Sequence, residues 1–222
     1  ITDGSYWPST GGGFEYYWSP DGKWFTLTFT GNKHDPYYDI GIVSAQGGEI
    51  TNLTNSGYAS GSPRWVMDGN AVLFTSERYG MRNHASWGSM EDVFLCFVNQ
   101  DAYDKYRLSK EDYELLKEVE KEQEKLKKNA DKKDAKKDDD KEDDKKDAVK
   151  DIVMELDGIQ DRIVRLTPNS SSLGSAIIDK KGETLYYTAS FEKGMDLWKL
   201  DLRKKEVKLA TKNVGYANFE MS

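Results

Sequence analysis

One pattern recurs three times along the chain and constrains its fold more than any other feature. A short apolar stretch runs into a polar turn that ends in glycine, and a β-rich stretch follows, in residues 18–28, 65–75 and 178–188. The turns end at Gly22, Gly69 and Gly182. Glycine permits the positive φ that a tight hairpin requires, and the apolar residues after each turn alternate with a period of two. Each copy therefore predicts a strand–turn–strand unit.

Each unit continues with the same two elements, which complete a four-stranded repeat. A third strand begins at an aspartate and a fourth strand ends near a threonine, at Asp39 and Thr54, Asp92 and Thr167, and Asp196 and Thr211. Gly22 and Gly69 are 47 residues apart, within the range of about 40–50 residues for a propeller blade. We predict an all-β fold, a partial β-propeller with about three four-stranded antiparallel blades plus flanking strands. A flat sandwich of hairpins is the structural alternative.

The repeat also predicts how the chain is divided. Residues 1–222 form one incomplete propeller with blades at approximately 5–54, 55–167 and 168–211, and residues 212–222 supply the first strand of the next blade. The 113 residues from Gly69 to Gly182 exceed the repeat, which predicts an insertion at approximately 100–156 between the third and fourth strands of the middle blade. Closed propellers usually have about 4–8 blades, so we expect the remaining blades to lie outside this chain.

The insertion is charged and predicts a helix followed by a disordered segment. Residues 101–150 contain 34 of the 71 charged residues, and every residue from Asp131 to Asp147 except Ala135 is Asp, Glu or Lys. Such a segment buries too little apolar surface to offset its ordering entropy. Residues 109–129 begin with an N-cap pattern and predict one exposed helix with a narrow apolar stripe. A solvated spacer and a partner-docking helix are both compatible with this pattern.

Two segments resemble a known family. Residues 18–23, Trp-Ser-Pro-Asp-Gly-Lys, together with Asp39-Ile40 and Leu53-Thr54, are similar to the repeat of TolB-type and Tricorn-type propellers. Residues 157–167 resemble the Asp-Gly-Ile…Arg-Ile-Val…Leu segment of bacterial Tricorn-like serine proteases. The third unit departs from the repeat, since Lys180-Lys181 replace Pro-Asp.

The resemblance implies a function that the composition alone does not indicate. In Tricorn-like proteases, propellers precede a PDZ-like module and a serine-protease core and control the passage of peptides. It implies a non-catalytic segment of a serine peptidase that gates or docks peptides or unfolded protein segments, with the remaining blades and protease domains of the parent chain as partners. The alternatives are a TolB-like stand-alone interaction propeller and the propeller cap of a prolyl-oligopeptidase-like enzyme. Homo-oligomerisation through the parent is left open.

Composition and motifs exclude several other classes of function. The net charge of −7 argues against nucleic-acid binding, which requires clustered Lys and Arg, and no apolar run approaches the roughly 20 residues of a membrane helix. We predict no catalytic residues, metal site or cofactor, because no nucleophile–base pattern, phosphate-binding loop or metal-ligand spacing is present. The two histidines, His34 and His84, are interpreted as loop residues. Cytoplasmic and periplasmic locations both remain open.

The candidate functional residues lie where chain segments enter the innermost strands. Glu15, Tyr17 and Arg64 are expected at one mouth of the central channel, where they are candidates for peptide contact. Trp18, Trp65 and Trp198 are expected to wedge between neighbouring blades as large apolar side chains.

Overall fold

The computed structural model describes residues 4, 6, 15–31, 37–82, 88–134 and 150–215. Within them, the strands form three separate four-stranded antiparallel sheets, each with its strands in chain order. Sheet 1 contains β1 (Tyr16–Trp18), β2 (Trp24–Phe29), β3 (Asp39–Ser44) and β4 (Thr51–Asn52). Sheet 2 contains β5 (Ser60–Val66), β6 (Ala71–Ser76), β7 (Asp92–Phe97) and β8 (Ile163–Arg165). Sheet 3 contains β9 (Ser172–Ile178), β10 (Thr184–Ser190), β11 (Asp196–Asp201) and β12 (Glu206–Thr211).

The three predicted glycine turns join the first and second strands of each sheet. Gly22, Gly69 and Gly182 have φ values of 69°, 86° and 70°, in the left-handed region where an L-residue with a Cβ is disfavoured. Sheet 1 shows the resulting hairpin register, with Trp18 opposite Phe25 and Tyr16 opposite Leu27. The predicted strand–turn–strand unit is therefore confirmed in all three copies.

The sheets pack face to face in chain order. Ile40 and Ile42 of sheet 1 share a buried cluster with Val72 and Phe74 of sheet 2. The opposite face of sheet 2 contributes a second cluster, which includes Leu73 and Leu95 and continues into Leu185 and Leu200 of sheet 3. Because β6 buries alternate residues on its two faces, the middle sheet is covered on both sides. This succession of four-stranded sheets is a partial β-propeller, as the repeat predicts.

In sheets 1 and 2, a buried aspartate of the third strand accepts hydrogen bonds from the fourth, outermost strand and the residues after it. Asp39, at the start of β3, accepts hydrogen bonds from Thr54 Oγ1 at 2.5 Å and Asn52 Nδ2 at 2.8 Å. Asp92, at the start of β7, accepts from Thr167 Oγ1 at 2.7 Å and from Arg165 Nη2 at 2.9 Å. The Asp-to-Thr pairing in the sequence repeat is thus a recurring contact between the third strand and the residues at or after the fourth.

Trp65 and Trp18 occupy equivalent positions in the repeat but have different surroundings. Trp65 packs against the cluster between sheets 1 and 2, and its Nε1 donates to the carbonyl of Tyr17 at 3.0 Å. It is an inter-blade wedge, as predicted. Trp18 is 56% exposed and lies against Phe25 of its own sheet, with ring centroids 3.9 Å apart. The difference arises because no described sheet packs against that face of sheet 1.

The insertion between β7 and β8 begins with two helices, α1 (Gln100–Arg107) and α2 (Lys110–Asp134). Ser109 Oγ accepts from the Asp112 amide at 3.1 Å, which is the N-cap the sequence predicts. The predicted helix over 109–129, exposed but for a narrow apolar stripe, is buried at its first turn, where Tyr113 is only 8% exposed. Leu115 and Leu126 farther along α2 are exposed. Residues 135–149, predicted to be solvated, lie outside the described residues.

Both ends of the insertion contact neighbouring sheets. Arg203, in the turn between β11 and β12, donates from Nη1 to the carbonyl of Tyr106 at 2.6 Å, and its guanidinium carbon lies 3.7 Å from the Tyr113 ring centroid. On the return side, the Ile152 amide donates to Asp21 Oδ2 of the first turn of sheet 1 at 3.0 Å. The insertion therefore links all three sheets at the end of the molecule that carries the glycine turns.

Candidate functional site

The three residues predicted to contact a peptide lie together on two innermost strands. Glu15 directly precedes β1, Tyr17 lies in β1, and Arg64 lies in β5 of the next sheet. Arg64 Nη1 is 3.2 Å from Glu15 Oε1, and the Tyr17 hydroxyl donates to the same oxygen at 3.0 Å. The Arg64 guanidinium carbon lies 3.6 Å from the centroid of the Tyr17 ring. We call this group the Glu15–Tyr17–Arg64 cluster.

An irregularity in β5 accompanies the position of Arg64. Gly61 pairs with Thr75 and Arg64 with Leu73, so β5 has one residue more than β6 over this interval. Ser62 within the interval has a φ of 54°. Such a β-bulge redirects the following side chain, and the Arg64 guanidinium reaches across to sheet 1. The sequence contains no direct signal for this bulge beyond the Gly-Ser-Pro run.

The cluster keeps free polar groups despite its internal contacts. The Glu15 and Arg64 side chains are 39% and 45% exposed. Arg64 Nη1 donates both to Glu15 Oε1 at 3.2 Å and to the carbonyl of Pro63 at 2.8 Å. Over the described ranges, Arg64 Nη2 and Glu15 Oε2 make no hydrogen bond. Arg64 Nη2, which carries two N–H groups, and Glu15 Oε2 therefore remain for a ligand.

The electrostatics of the cluster favour a protonated Tyr17. Burial is the main cause that raises the pKa of Tyr17, and its hydrogen bond to the Glu15 carboxylate and the charge of that group raise the pKa further. The Arg64 cation acts in the opposite direction without reversing the shift. The hydroxyl is therefore a donor at neutral pH and holds Glu15 in place.

Among the residues that the structure describes, the other side chains that could carry chemistry form no second reactive site. Cys96 is buried, and burial raises the pKa of its thiol to about 12, which keeps it protonated and unreactive. In the part of the chain that the structure covers, no three His, Cys, Asp or Glu side chains form a group that could hold a metal ion. The same residues contain no helix long and apolar enough to cross a membrane. His34 and His84 lie outside the described ranges.

Sequence reasoning missed one concave region. The helices of the insertion and the turns of sheets 2 and 3 border an open pocket of about 400 Å³, whose lining includes Asn99, Tyr106, Tyr113 and Arg203. The signal that was available is the occurrence of tyrosines in a segment that is otherwise charged. Aromatic side chains in such a segment indicate a packed face rather than a solvated one.

Comparisons with known proteins show the fold of this chain and a short match to one peptidase. No protein-family model matches the chain. A 58-residue stretch is 38% identical to the uncharacterised peptidase YuxL of Bacillus subtilis (strain 168), and covers 26% of this chain and 8% of that protein. The crystal structure of the tricorn protease superposes with a TM-score of 0.54 at 10% identity, over 92% of this chain and 19% of that one. This structural likeness shows the propeller fold alone.

Two TolB structures are also similar to the chain. TolB from Agrobacterium tumefaciens gives a TM-score of 0.48 at 14% identity, over 92% of this chain and 53% of that one. TolB from Acinetobacter baumannii gives 0.46 at 14% identity, over 89% and 32%. The chain thus spans less than a tenth of the peptidase relative and about a fifth of the tricorn chain.

Proposed function

We propose that this chain is a non-catalytic propeller segment of a Tricorn-like serine peptidase that docks peptide substrates or gates their passage. The observation that carries the proposal is the Glu15–Tyr17–Arg64 cluster, which presents a free donor and a free acceptor on the innermost strands. The propeller fold shared with the tricorn protease and the partial match to a named peptidase support this setting. The remaining blades and a serine-protease core in the same parent protein belong to the proposal.

The free groups of the cluster match the backbone of an extended peptide. A strand presents carbonyl oxygens and amide hydrogens in alternation. Arg64 Nη2 donates to a peptide carbonyl and Glu15 Oε2 accepts from a peptide amide. Tyr17 keeps the two charged groups aligned through its hydroxyl and its ring. Because these contacts involve backbone groups, the cluster recognises peptides with little dependence on their sequence.

Binding of a dye-labelled, unstructured ten-residue peptide, followed by fluorescence anisotropy, tests the proposal. Arg64→Gln removes the guanidinium donor and its contact with Tyr17, and we expect the Kd to rise about tenfold, since hydrogen bonds of charged groups contribute about 1.5–3 kcal/mol. Arg107→Gln is the matched control, because Arg107 lies over the Tyr103 ring within α1, at 5.4 Å. Equal peptide affinities of the Arg64→Gln variant and the unsubstituted protein would contradict the proposal.

The alternative functions predict different outcomes. A stand-alone interaction propeller binds a folded partner and leaves the unstructured peptide unbound. A prolyl-oligopeptidase-like cap precedes an α/β-hydrolase nucleophile elbow in the parent gene, whereas a Tricorn-like parent carries a PDZ-like segment and a serine core. Sequencing the parent gene downstream of this chain separates these cases.

A further inference from the structure

Helix α2 contacts the rest of the protein through one face near its start. Three side chains of that face make its contacts with sheet 3 and α1: Tyr113 with Arg203, Lys117 with Glu183, and Glu120 with Lys105. The helix has 25 residues and is therefore about 38 Å long. After Glu120, every described side chain of α2 is exposed. Solvent therefore surrounds the described side chains in the second half of this helix.

An exposed apolar stripe runs along the opposite face of α2. Leu115, Val119 and Leu126 are 61%, 43% and 68% exposed. At about 100° per residue, the three positions lie within about 40° of one another and about 150° from the face that contacts sheet 3 and α1. The blades therefore do not cover this stripe while the first turns of α2 stay attached. Packing within the described chain does not account for these three apolar side chains.

The charges beside this stripe change sign along the helix. Glu114, Glu118 and Glu122 follow one another at i, i+4 spacing, at which like charges destabilise a helix. Lys125 comes next on the same side. Only Glu114 has an ion pair among the described residues, with Lys110 at 3.7 Å. The helix dipole acts within the first turn, so it does not account for an acid at Glu118, the ninth residue of α2.

Two copies of this surface are complementary when their helices run antiparallel. Positions 115, 119, 122 and 126 have the alternating spacing of four and three residues that forms a coiled-coil seam. With Leu115 of one copy opposite Leu126 of the other, Glu118 of each copy lies beside Lys125 of the other. Because the arrangement has twofold symmetry, this ion pair forms twice. A parallel pair would instead place the two Glu122 carboxylates opposite each other, which like-charge repulsion disfavours.

We infer that Leu115, Val119 and Leu126, which we call the α2 stripe, bind a second copy of this chain in an antiparallel helix pair. The overlap spans about 17 Å and includes one acid, Glu122, so the interface is small and the dimer is transient. We expect a Kd of about 10–100 µM. The inference goes beyond the proposed function and does not depend on it, because the Glu15–Tyr17–Arg64 cluster takes no part in the pairing.

Sedimentation velocity of the whole chain, from about 1 to about 500 µM, tests the inference. The double substitution Leu115→Gln and Leu126→Gln should raise the dimer Kd at least about tenfold, because it removes the two apolar layers of the seam. Met81→Gln with Val153→Gln is the matched control, since these side chains are 68% and 64% exposed elsewhere in the chain, and should leave the Kd unchanged. A chain that stays monomeric would overturn the inference and leave the stripe to a different protein. Association that the stripe substitutions do not weaken would overturn it as well, since it would use another surface.

Exchanging the two charges tests the register of the helix pair. Glu118→Lys or Lys125→Glu alone places like charges together twice per dimer and should raise the Kd about tenfold. The two substitutions together restore the ion pairs with their signs exchanged and should return the Kd to within about twofold of the starting value. Failure of the double variant to recover would refute the pairing of these two positions.

Disulfide formation tests the orientation. An equimolar mixture of the Leu115→Cys and Leu126→Cys variants should form a linked dimer under mild oxidation. The Leu115→Cys variant alone should not, because its two thiols lie about 17 Å apart in the antiparallel pair. The native Cys96 is buried and does not compete. A linked dimer of the Leu115→Cys variant alone would show that the helices run parallel.

Failure of this inference is distinguishable from failure of the proposed function. At about 1 µM, where fluorescence measurements of peptide binding and unfolding are made, the chain is monomeric. If Arg64→Gln weakens peptide binding while the stripe substitutions leave sedimentation unchanged, the proposed function stands and the helix pairing is wrong. If the stripe substitutions abolish association while Arg64→Gln has no effect on peptide binding, the helix pairing stands and the proposed role of the cluster is wrong.

Discussion

Replacing Asp92 with alanine should cost about 3–4 kcal/mol of unfolding free energy. Asp92 is fully buried and accepts from Thr167 Oγ1 at 2.7 Å, Ser170 Oγ at 2.8 Å and Arg165 Nη2 at 2.9 Å. All three hydrogen bonds are charge-assisted because their acceptor is a carboxylate, and each alone would contribute about 1.5–3 kcal/mol. Since they share one carboxylate, their contributions do not add in full, which gives a total of about 3–4 kcal/mol. The Arg165 side chain is 32% exposed, so solvent screening places its share at the lower end.

Urea denaturation followed by tryptophan fluorescence measures this loss. Asp92→Asn keeps one oxygen acceptor and should lose about half as much, since the hydroxyl donors retain a partner. Glu118→Ala on the exposed face of α2 is the control, and its free energy of unfolding should stay within about 0.5 kcal/mol of that of the unsubstituted protein. If Asp92→Ala lowers the free energy of unfolding by less than about 1 kcal/mol, water replaces the carboxylate without penalty. That result would refute the assignment of Asp92 as the residue that stabilises the fourth strand.

Two further predictions concern a buried acid and the insertion. Burial chiefly raises the pKa of Glu91, the charge of Glu77 adds to this, and a hydrogen bond from Thr75 only partly opposes it. The folded state therefore binds the proton of the Glu91 carboxyl more tightly than the unfolded chain does. Glu91→Gln should raise the urea midpoint at pH 7, and this gain should disappear as the pH falls toward 4.5, the ordinary pKa of Glu. An equal gain at pH 5 and pH 7 would contradict the prediction. Arg203→Ala should cost about 1–2 kcal/mol and speed limited proteolysis between α1 and α2, because it removes the hydrogen bond to the Tyr106 carbonyl. Unchanged cleavage would show that the helices are held without it.

The repeat in the sequence was sufficient to predict the three sheets. Gly22, Gly69 and Gly182 mark local hairpins, and hairpin geometry depends on a few neighbouring residues that a single sequence displays. The membership of the Glu15–Tyr17–Arg64 cluster was also predictable, because its residues enter equivalent innermost strands. The contacts within it were not, since Glu15 and Arg64 are 49 positions apart and a bulge in β5 determines where the guanidinium lies.

The features that sequence reasoning missed depend on contacts between distant segments. Tyr106 and Arg203 are 97 positions apart, so the charge pattern of the insertion predicts a solvated segment while tertiary packing buries Tyr106. Trp198 was expected to wedge between blades. It packs partly on the cluster between sheets 2 and 3, but the short β8 leaves its ring beside an open groove, and strand length is a property that periodicity determines poorly.

The position of the insertion has a consequence for synthesis of the protein on the ribosome. β7 ends at Phe97 and its partner β8 begins at Ile163, so the ribosome adds about 65 residues before the pairing strand emerges. At about 5–20 residues per second this interval lasts about 3–13 seconds. During it the outer edge of β7, an apolar strand of sequence Asp-Val-Phe-Leu-Cys-Phe, has no partner and could pair with another nascent chain. The dense charges that follow directly in the sequence are the kind of flanking residues that keep such a strand soluble until sheet 2 is complete.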